Sequence, residues 1–203
     1  MDLENRFFHL LEKYTSNKAH IQQLWTNLHQ KYSESHRAYH NLTHLKELFS
    51  YFDEYQEHLE NSDIVAFSIF YHDVIYNIWN KDNEEKSADF ALLELDNVLS
   101  KSSLESIQQQ IIATKTHQAS DNDTQLLVDF DLTILGKSSE VYTNYTKLIR
   151  KEYQLVPWFM YKKGRKKVLQ HFLDKEVIYG SKTFNDLFEK QARINLTNEL
   201  NNL

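Results

Sequence analysis

The chain contains no cysteine, one proline and three glycines in 203 residues. Without cysteine it can form no disulfide, no thiolate zinc site and no cysteine nucleophile. The first glycine is Gly136 and the single proline is Pro157, so residues 1–135 contain neither. Hairpins and bulges draw on both residue types. Their scarcity points to helices joined by short polar turns, and it excludes a glycine-rich phosphate loop or a dinucleotide fingerprint. Long hydrophobic runs are also missing: nothing approaches the roughly 18 apolar residues of a membrane span. The opening residues Met1-Asp2-Leu3-Glu4-Asn5-Arg6 lack the basic stretch and apolar run of a secretory signal. These absences lead us to expect a soluble, cytoplasmic protein with no membrane partner. A net charge of −6 lacks the basic balance of a general nucleic-acid binder.

What is present suits a packed core. At 41% hydrophobic residues, the length fits one domain over 1–203. A domain of this size buries about 70% of its unfolded surface. Apolar residues recur at three- and four-residue spacing almost throughout. The pattern predicts helices over 3–14, 18–32, 42–58, 64–77, 83–99, 103–117, 123–135, 139–153, 158–174 and 183–200, with breaks at Gly136, Pro157 and Gly180. Asn61, Ser62 and Asp63 offer N-cap side chains for the 64–77 segment. That segment is apolar nearly all round and belongs at the centre of the bundle. The expected fold is all-α: a single-domain bundle of about nine or ten helices.

Metal-ligand side chains occur at His40, His44, His72, Asp73, His117 and Asp131. Imidazoles and carboxylates hold divalent metals, and a metal so held can bind a phosphoester oxygen and acidify a bound water. His40 and His44, four apart at a helix start, share one face. His72 and Asp73 close the apolar 64–77 segment, where adjacent helical residues diverge by about 100°. Both therefore reach one ion only at the helix edge. Asp131 faces inward if Leu127 and Ile134 do, and Asp129, two residues earlier, cannot face the same ion from the same helix, so helix geometry leaves the choice between the two open. A mixed nitrogen/oxygen donor set suits Mn, Fe, Zn, Ni or Mg. Each fragment alone is weak, because single His-Asp pairs arise by chance and periodicity alone favours a purely structural bundle.

The order His…His-Asp…Asp on a helical chain resembles the HD superfamily of metal-dependent phosphohydrolases. Several stretches are similar to one family of predicted HD phosphohydrolases. They are Arg37-Ala38-Tyr39-His40-Asn41-Leu42-Thr43-His44, Phe70 to Asn77, Asn83 to Ala88, Ala113 to His117, Asp129 to Gly136, Ile149 to Tyr153, Gly164 to Leu169 and Ala192 to Leu196. The resemblance covers nearly the whole chain. It implies His44, His72, Asp73 and Asp131 as metal ligands. The His-Asn-x-x-His stretch also resembles cyclic-nucleotide phosphodiesterases, which implies His40 as the proton donor. An imidazole with an ordinary pKa near 6.5 suits that task. Those enzymes carry a further histidine where this chain has Tyr76, which sets cyclic nucleotides and a second ion apart from the expectation.

The resulting reading is a metal-dependent phosphohydrolase that cleaves a small phosphoester, such as a nucleotide, with water activated by a divalent metal. Asp73 orients the water while coordinating, and Glu84 is a candidate base or ligand orienter. No organic cofactor is expected. His117 is a candidate second-metal ligand or phosphate contact. Arg165, in the basic run Lys162-Lys163-Gly164-Arg165-Lys166-Lys167, is a candidate for bidentate phosphate contact. Such a run is otherwise a solvated face, and Tyr142, Tyr145, Tyr153 and Tyr161 read as packing. Two other classes compete: a metal-binding sensor or interaction module with little turnover, and a di-iron oxygenase, which needs histidines beyond His117.

Overall fold

The computed structural model describes residues 2–203, and among them every regular element is helical. There are ten α-helices: α1 (Leu3–Glu12), α2 (Lys18–Tyr32), α3 (Leu42–Tyr55), α4 (Ser62–Tyr71), α5 (Asn83–Leu95), α6 (Lys101–Thr116), α7 (Asn122–Leu132), α8 (Ser139–Glu152), α9 (Trp158–Asp174) and α10 (Lys182–Asn202). Short 3-10 turns follow α3 at Gln56–His58 and α7 at Thr133–Gly136. Among the described residues no helix is long and apolar enough to cross a membrane. The all-α architecture expected from the period of the apolar residues is present. The chain divides into two compact units, Met1–Val128 and Asp129–Leu203.

The first unit is organised around α4. Every residue from Ile64 to Tyr71 is buried, because an all-round apolar helix loses solvent contact only where neighbours cover each side. Phe70 shows the packing: Phe7 of α1 meets its ring edge-on at 5.0 Å, and Phe49 of α3 lies 4.6 Å away. Burying such a ring stabilises the fold by about 1.5–3 kcal/mol. The helices begin where the sequence supplies a side-chain oxygen acceptor: the side chains of Asp2, Asn17, Asn41, Asn61 and Ser100 accept first-turn backbone N–H groups.

One boundary differs in a way that matters. The periodic pattern predicts helix to residue 77, yet α4 stops at Tyr71 and His72 is its C-cap. Tertiary partners take over the backbone groups that a longer helix would have paired. Arg37 claims the carbonyls of Asp73 and Val74. The Ser87 hydroxyl receives the N–H of Ile75 and donates to its carbonyl, and the Asn83 amide brackets Asn77 in the same two-way fashion.

In the second unit α10 packs on the Thr133–Gly136 turn. A Cβ at Gly136 would stand 2.5 Å from the Cβ of Phe188, so only glycine allows that approach. The Asn195 amide donates to the carbonyls of Leu135 and Lys137 at 2.9 and 2.8 Å. Asp129, fully buried, accepts the N–H groups of Gly180 and Ser181 at the start of α10.

A candidate metal centre

His44 stands in the first turn of α3, where the Asn41 side chain caps the helix by accepting the Thr43 N–H at 2.8 Å. His72 closes α4. Both imidazoles are buried, at 2% and 1% exposure. Their Nε2 atoms face each other at 3.2 Å, and Asp73 Oδ2 lies 3.2 Å from His72 Nε2 and 3.7 Å from His44 Nε2. Three donor atoms thus converge within the first unit. Because α4 ends before Asp73, the ~100° divergence of neighbouring helical residues no longer separates its carboxylate from the imidazole beside it.

The protonation pattern of His72 follows from its neighbour. His72 Nδ1 lies 2.9 Å from the carbonyl oxygen of Ile69, and a carbonyl only accepts, so Nδ1 carries the proton. In the neutral ring Nε2 then presents a lone pair toward His44 and Asp73. A backbone carbonyl holding the far nitrogen is the usual support of a metal-ligating histidine.

The donor set fits a cation. Two nitrogens at ~2.0–2.1 Å from one ion stand roughly 2.9–3.4 Å apart across octahedral to tetrahedral angles, and the observed Nε2 separation of 3.2 Å falls in that range. His44, His72 and Asp131 likewise each offer a ligand atom, all within 4.8 Å of one another, a group of two buried histidines and a half-buried aspartate that could hold a metal ion. Asp131 reaches this group from α7, which runs without a break from Asn122 to Leu132. Asp129, two residues earlier, is committed to the start of α10.

The electrostatics favour positive charge here. Burial pushes the Asp73 carboxyl up, but the imidazoles of His72, His40 and His44 outweigh it and hold the group well below the usual carboxylate range. Glu84, in the first turn of α5, moves the other way: burial raises it and the charge of Asp73 adds to the rise. Its carboxylate lies 3.9 Å from Lys115 Nζ.

His40 precedes the α3 cap, with its ring 5.9 Å from that of His44 and 4.3 Å from that of Tyr76. It thus lies on the His44 side although it is outside the helix. His117 ends α6 in the left-handed region, φ 53°, the one positive-φ non-glycine residue among those described. Its N–H closes the helix on the Ala113 carbonyl at 2.7 Å, a C-terminal capping geometry that glycine adopts most cheaply. Arg165 is buried in the second unit, and its guanidinium fork grips Glu199 through Nε at 2.7 Å and Nη2 at 2.9 Å. The bidentate capacity expected for a phosphate is therefore filled by a carboxylate of the same chain.

The residue that sequence reading missed is Arg37. Its side chain is fully buried, donates to the carbonyls of His40 (3.1 Å), Asp73 (2.7 Å) and Val74 (2.9 Å), and pairs with Glu34 Oε2 at 3.1 Å. One guanidinium thereby ties the His40 segment to the His72-Asp73 segment. The Tyr32 hydroxyl adds a contact by accepting the Asp73 N–H at 3.3 Å. Arginine with a single nearby acid, Glu34, reads as a surface ion pair. Backbone carbonyls leave no mark in the sequence, so nothing there signals this role.

These features describe an all-helical protein in which imidazole and carboxylate side chains form a group that could hold a metal ion. Comparison of the chain with known protein families, with curated proteins and with solved structures gives no match.

Proposed function

We propose that the protein is a metal-dependent phosphohydrolase of the HD type, hydrolysing a small phosphoester such as a nucleotide. The observation that carries this reading is the convergence of His44 Nε2, His72 Nε2 and Asp73 Oδ2 within 3.7 Å, with His72 Nδ1 secured on the Ile69 carbonyl. Together with Asp131, these residues would hold one divalent cation, with Mn, Fe, Zn, Ni and Mg all compatible with the donors. Such a cation supplies, when bound, neutralisation of phosphoryl oxygens and acidification of water.

The chain's own residues supply the rest. His40, beside the ligands and against the Tyr76 ring, donates a proton to the leaving oxygen, a step worth about 10²–10⁴-fold in rate. Asp73, held ionised by its imidazole neighbours, accepts a hydrogen bond from the attacking water and orients it. Glu84, raised by burial, takes up a proton from that water more readily than an ordinary glutamate. Arg37 keeps the His40 and Asp73 backbones in register.

The test is phosphate release from a panel of nucleotides, sugar phosphates and aryl phosphates, run with each candidate cation in turn. Release by the wild type that falls about a hundredfold or more in Asp73→Asn and His40→Gln supports the reading. Stoichiometric metal retention with no release from any ester would overturn it in favour of a metal-binding module.

A further inference from the structure

We propose that the corner between α8 and α9 docks on an anionic lipid surface, inserting Leu155, Trp158, Phe159 and Met160 while lysines of α9 engage the headgroups. Those four apolar side chains are consecutive or nearly so, and they stand 76%, 53%, 72% and 51% exposed. A scattered exposed hydrophobe needs no explanation, but a contiguous group of large ones marks an interaction surface.

The corner is built to hold this shape. Arg150 of α8 donates to the carbonyls of Tyr153 and Val156. Its guanidinium also lies over the rings of Trp158 and Tyr161, at 5.8 and 4.9 Å. The Trp158 and Tyr161 rings stack at 5.8 Å, and Tyr161 is buried. Trp158 is thus braced from its inner side and presented outward.

The charge behind the corner identifies the partner. From Tyr153 to Leu173 the chain has no aspartate or glutamate, but it has Lys162, Lys163, Arg165, Lys166 and Lys167. Arg165 is neutralised by Glu199. The four lysines have no acid at i±3 or i±4 along the helix, the positions where helical ion pairs form. At 1.5 Å rise per residue, Lys163 and Lys167 lie about 6 and 12 Å behind Phe159 along the α9 axis. Apolar groups of surface-bound helices sink about 5–10 Å into the headgroup boundary. Insertion of the corner to that depth puts the lysines level with lipid phosphates and carboxylates.

Other occupants fit less well. A second copy related by a two-fold axis would set the same lysines against each other. A nucleic-acid strand is held by a basic groove with stacking platforms, whereas Leu155 and Met160 offer no stacking face. A surface-bound mode needs no spanning helix, and it is independent of the phosphohydrolase reading.

The experiment is co-sedimentation of the full chain with phosphatidylcholine vesicles, with and without about a third phosphatidylserine. Trp158 emission would be compared between the wild type and Trp158→Phe, since Trp25 and Trp79 also fluoresce. We expect binding to the anionic vesicles only, with a blue shift that is absent in Trp158→Phe. Phe159→Glu with Met160→Glu should lower binding at least tenfold, and Lys163→Gln with Lys167→Gln about thirtyfold. All four sites are exposed, and unchanged far-ultraviolet circular dichroism verifies folding. No binding to anionic vesicles, or equal binding to neutral ones, would overturn the proposal. So would a dimer in sedimentation velocity that Phe159→Glu dissociates, or a single-stranded oligonucleotide that binds more tightly than the vesicles.

Discussion

Two clusters of buried charged and polar side chains sit in the two units, and they are built on opposite plans. In the second unit Arg165, Glu199 and Tyr142 form a closed set: the guanidinium fork meets both carboxylate oxygens, and the tyrosine hydroxyl donates to the same carboxylate. Burial pulls the Arg165 pKa down, yet Tyr145 and Glu199 keep it well above its ordinary value. In the first unit His44 Nε2, His72 Nε2 and Asp73 Oδ2 converge within 3.7 Å, a set of ligand-type atoms that a bare cation would complete. The difference teaches where to look for chemistry. A buried charged group whose partners are complementary supports the fold, while convergent acceptors held by backbone contacts await a ligand.

The contrast can be broken experimentally, beginning with the closed cluster. Glu199→Ala leaves a buried guanidinium without its carboxylate and should cost about 3–5 kcal/mol in urea denaturation. It should leave metal stoichiometry unchanged. Pairing Glu199→Leu with Arg165→Met should recover most of that loss, since apolar replacements of buried ion pairs are often neutral. The open cluster should behave inversely. Asp73→Asn keeps the shape, removes the charge and should weaken metal binding by about a hundredfold or more in isothermal titration, near 2.7 kcal/mol. In chelator, its unfolding midpoint should move less than that of Glu199→Ala.

Arg37 sharpens the comparison because it is a buried cation whose partners are mostly carbonyls. Arg37→Met should lower metal affinity about 10–100-fold, as loss of a group supporting metal ligands does. Both stability and affinity should fall, unlike either cluster alone. Arg37→Lys should rescue little, for one ammonium cannot reproduce a fork. The smallest effect is expected at His117. His117→Gly relieves a left-handed residue and should stabilise the fold by up to about 1 kcal/mol. Metal affinity that falls as well in this variant would restore His117 as a ligand candidate.

Much of the fold was legible from the spacing of apolar residues. The segments 18–32 and 158–174 coincide with α2 and α9, and the placement of 64–71 at the centre matches an α4 with no exposed residue from Ile64 onward. The misplaced boundary after Tyr71 was not legible, because hydrogen bonds from Arg37, Ser87 and Asn83 override a helical apolar pattern. The same logic divides the candidate site. His44, His72 and Asp73 are picked out from many histidines and aspartates by the His…His-Asp…Asp order that resembles the HD superfamily, because residue type alone does not single them out. Helical phase does not separate Asp129 from Asp131; the preference for Asp131 rests on the resemblance, in which a leucine follows the ligand as Leu132 does, and the structure shows Asp129 accepting the Gly180 and Ser181 N–H groups. The partner of Arg165 was not legible because Glu199 is 34 residues away in sequence. A basic run looks the same whether one member faces water or a buried acid.

The most direct test of the central claim is the metal content of the purified protein after dialysis and reloading with Mn, Fe, Zn, Ni or Mg, beside Asp73→Asn and Glu199→Ala. The account predicts about one tightly held equivalent in the wild type and in Glu199→Ala, and its loss in Asp73→Asn. Equal retention in wild type and Asp73→Asn, or no retention of any of these ions by the wild type, would contradict it.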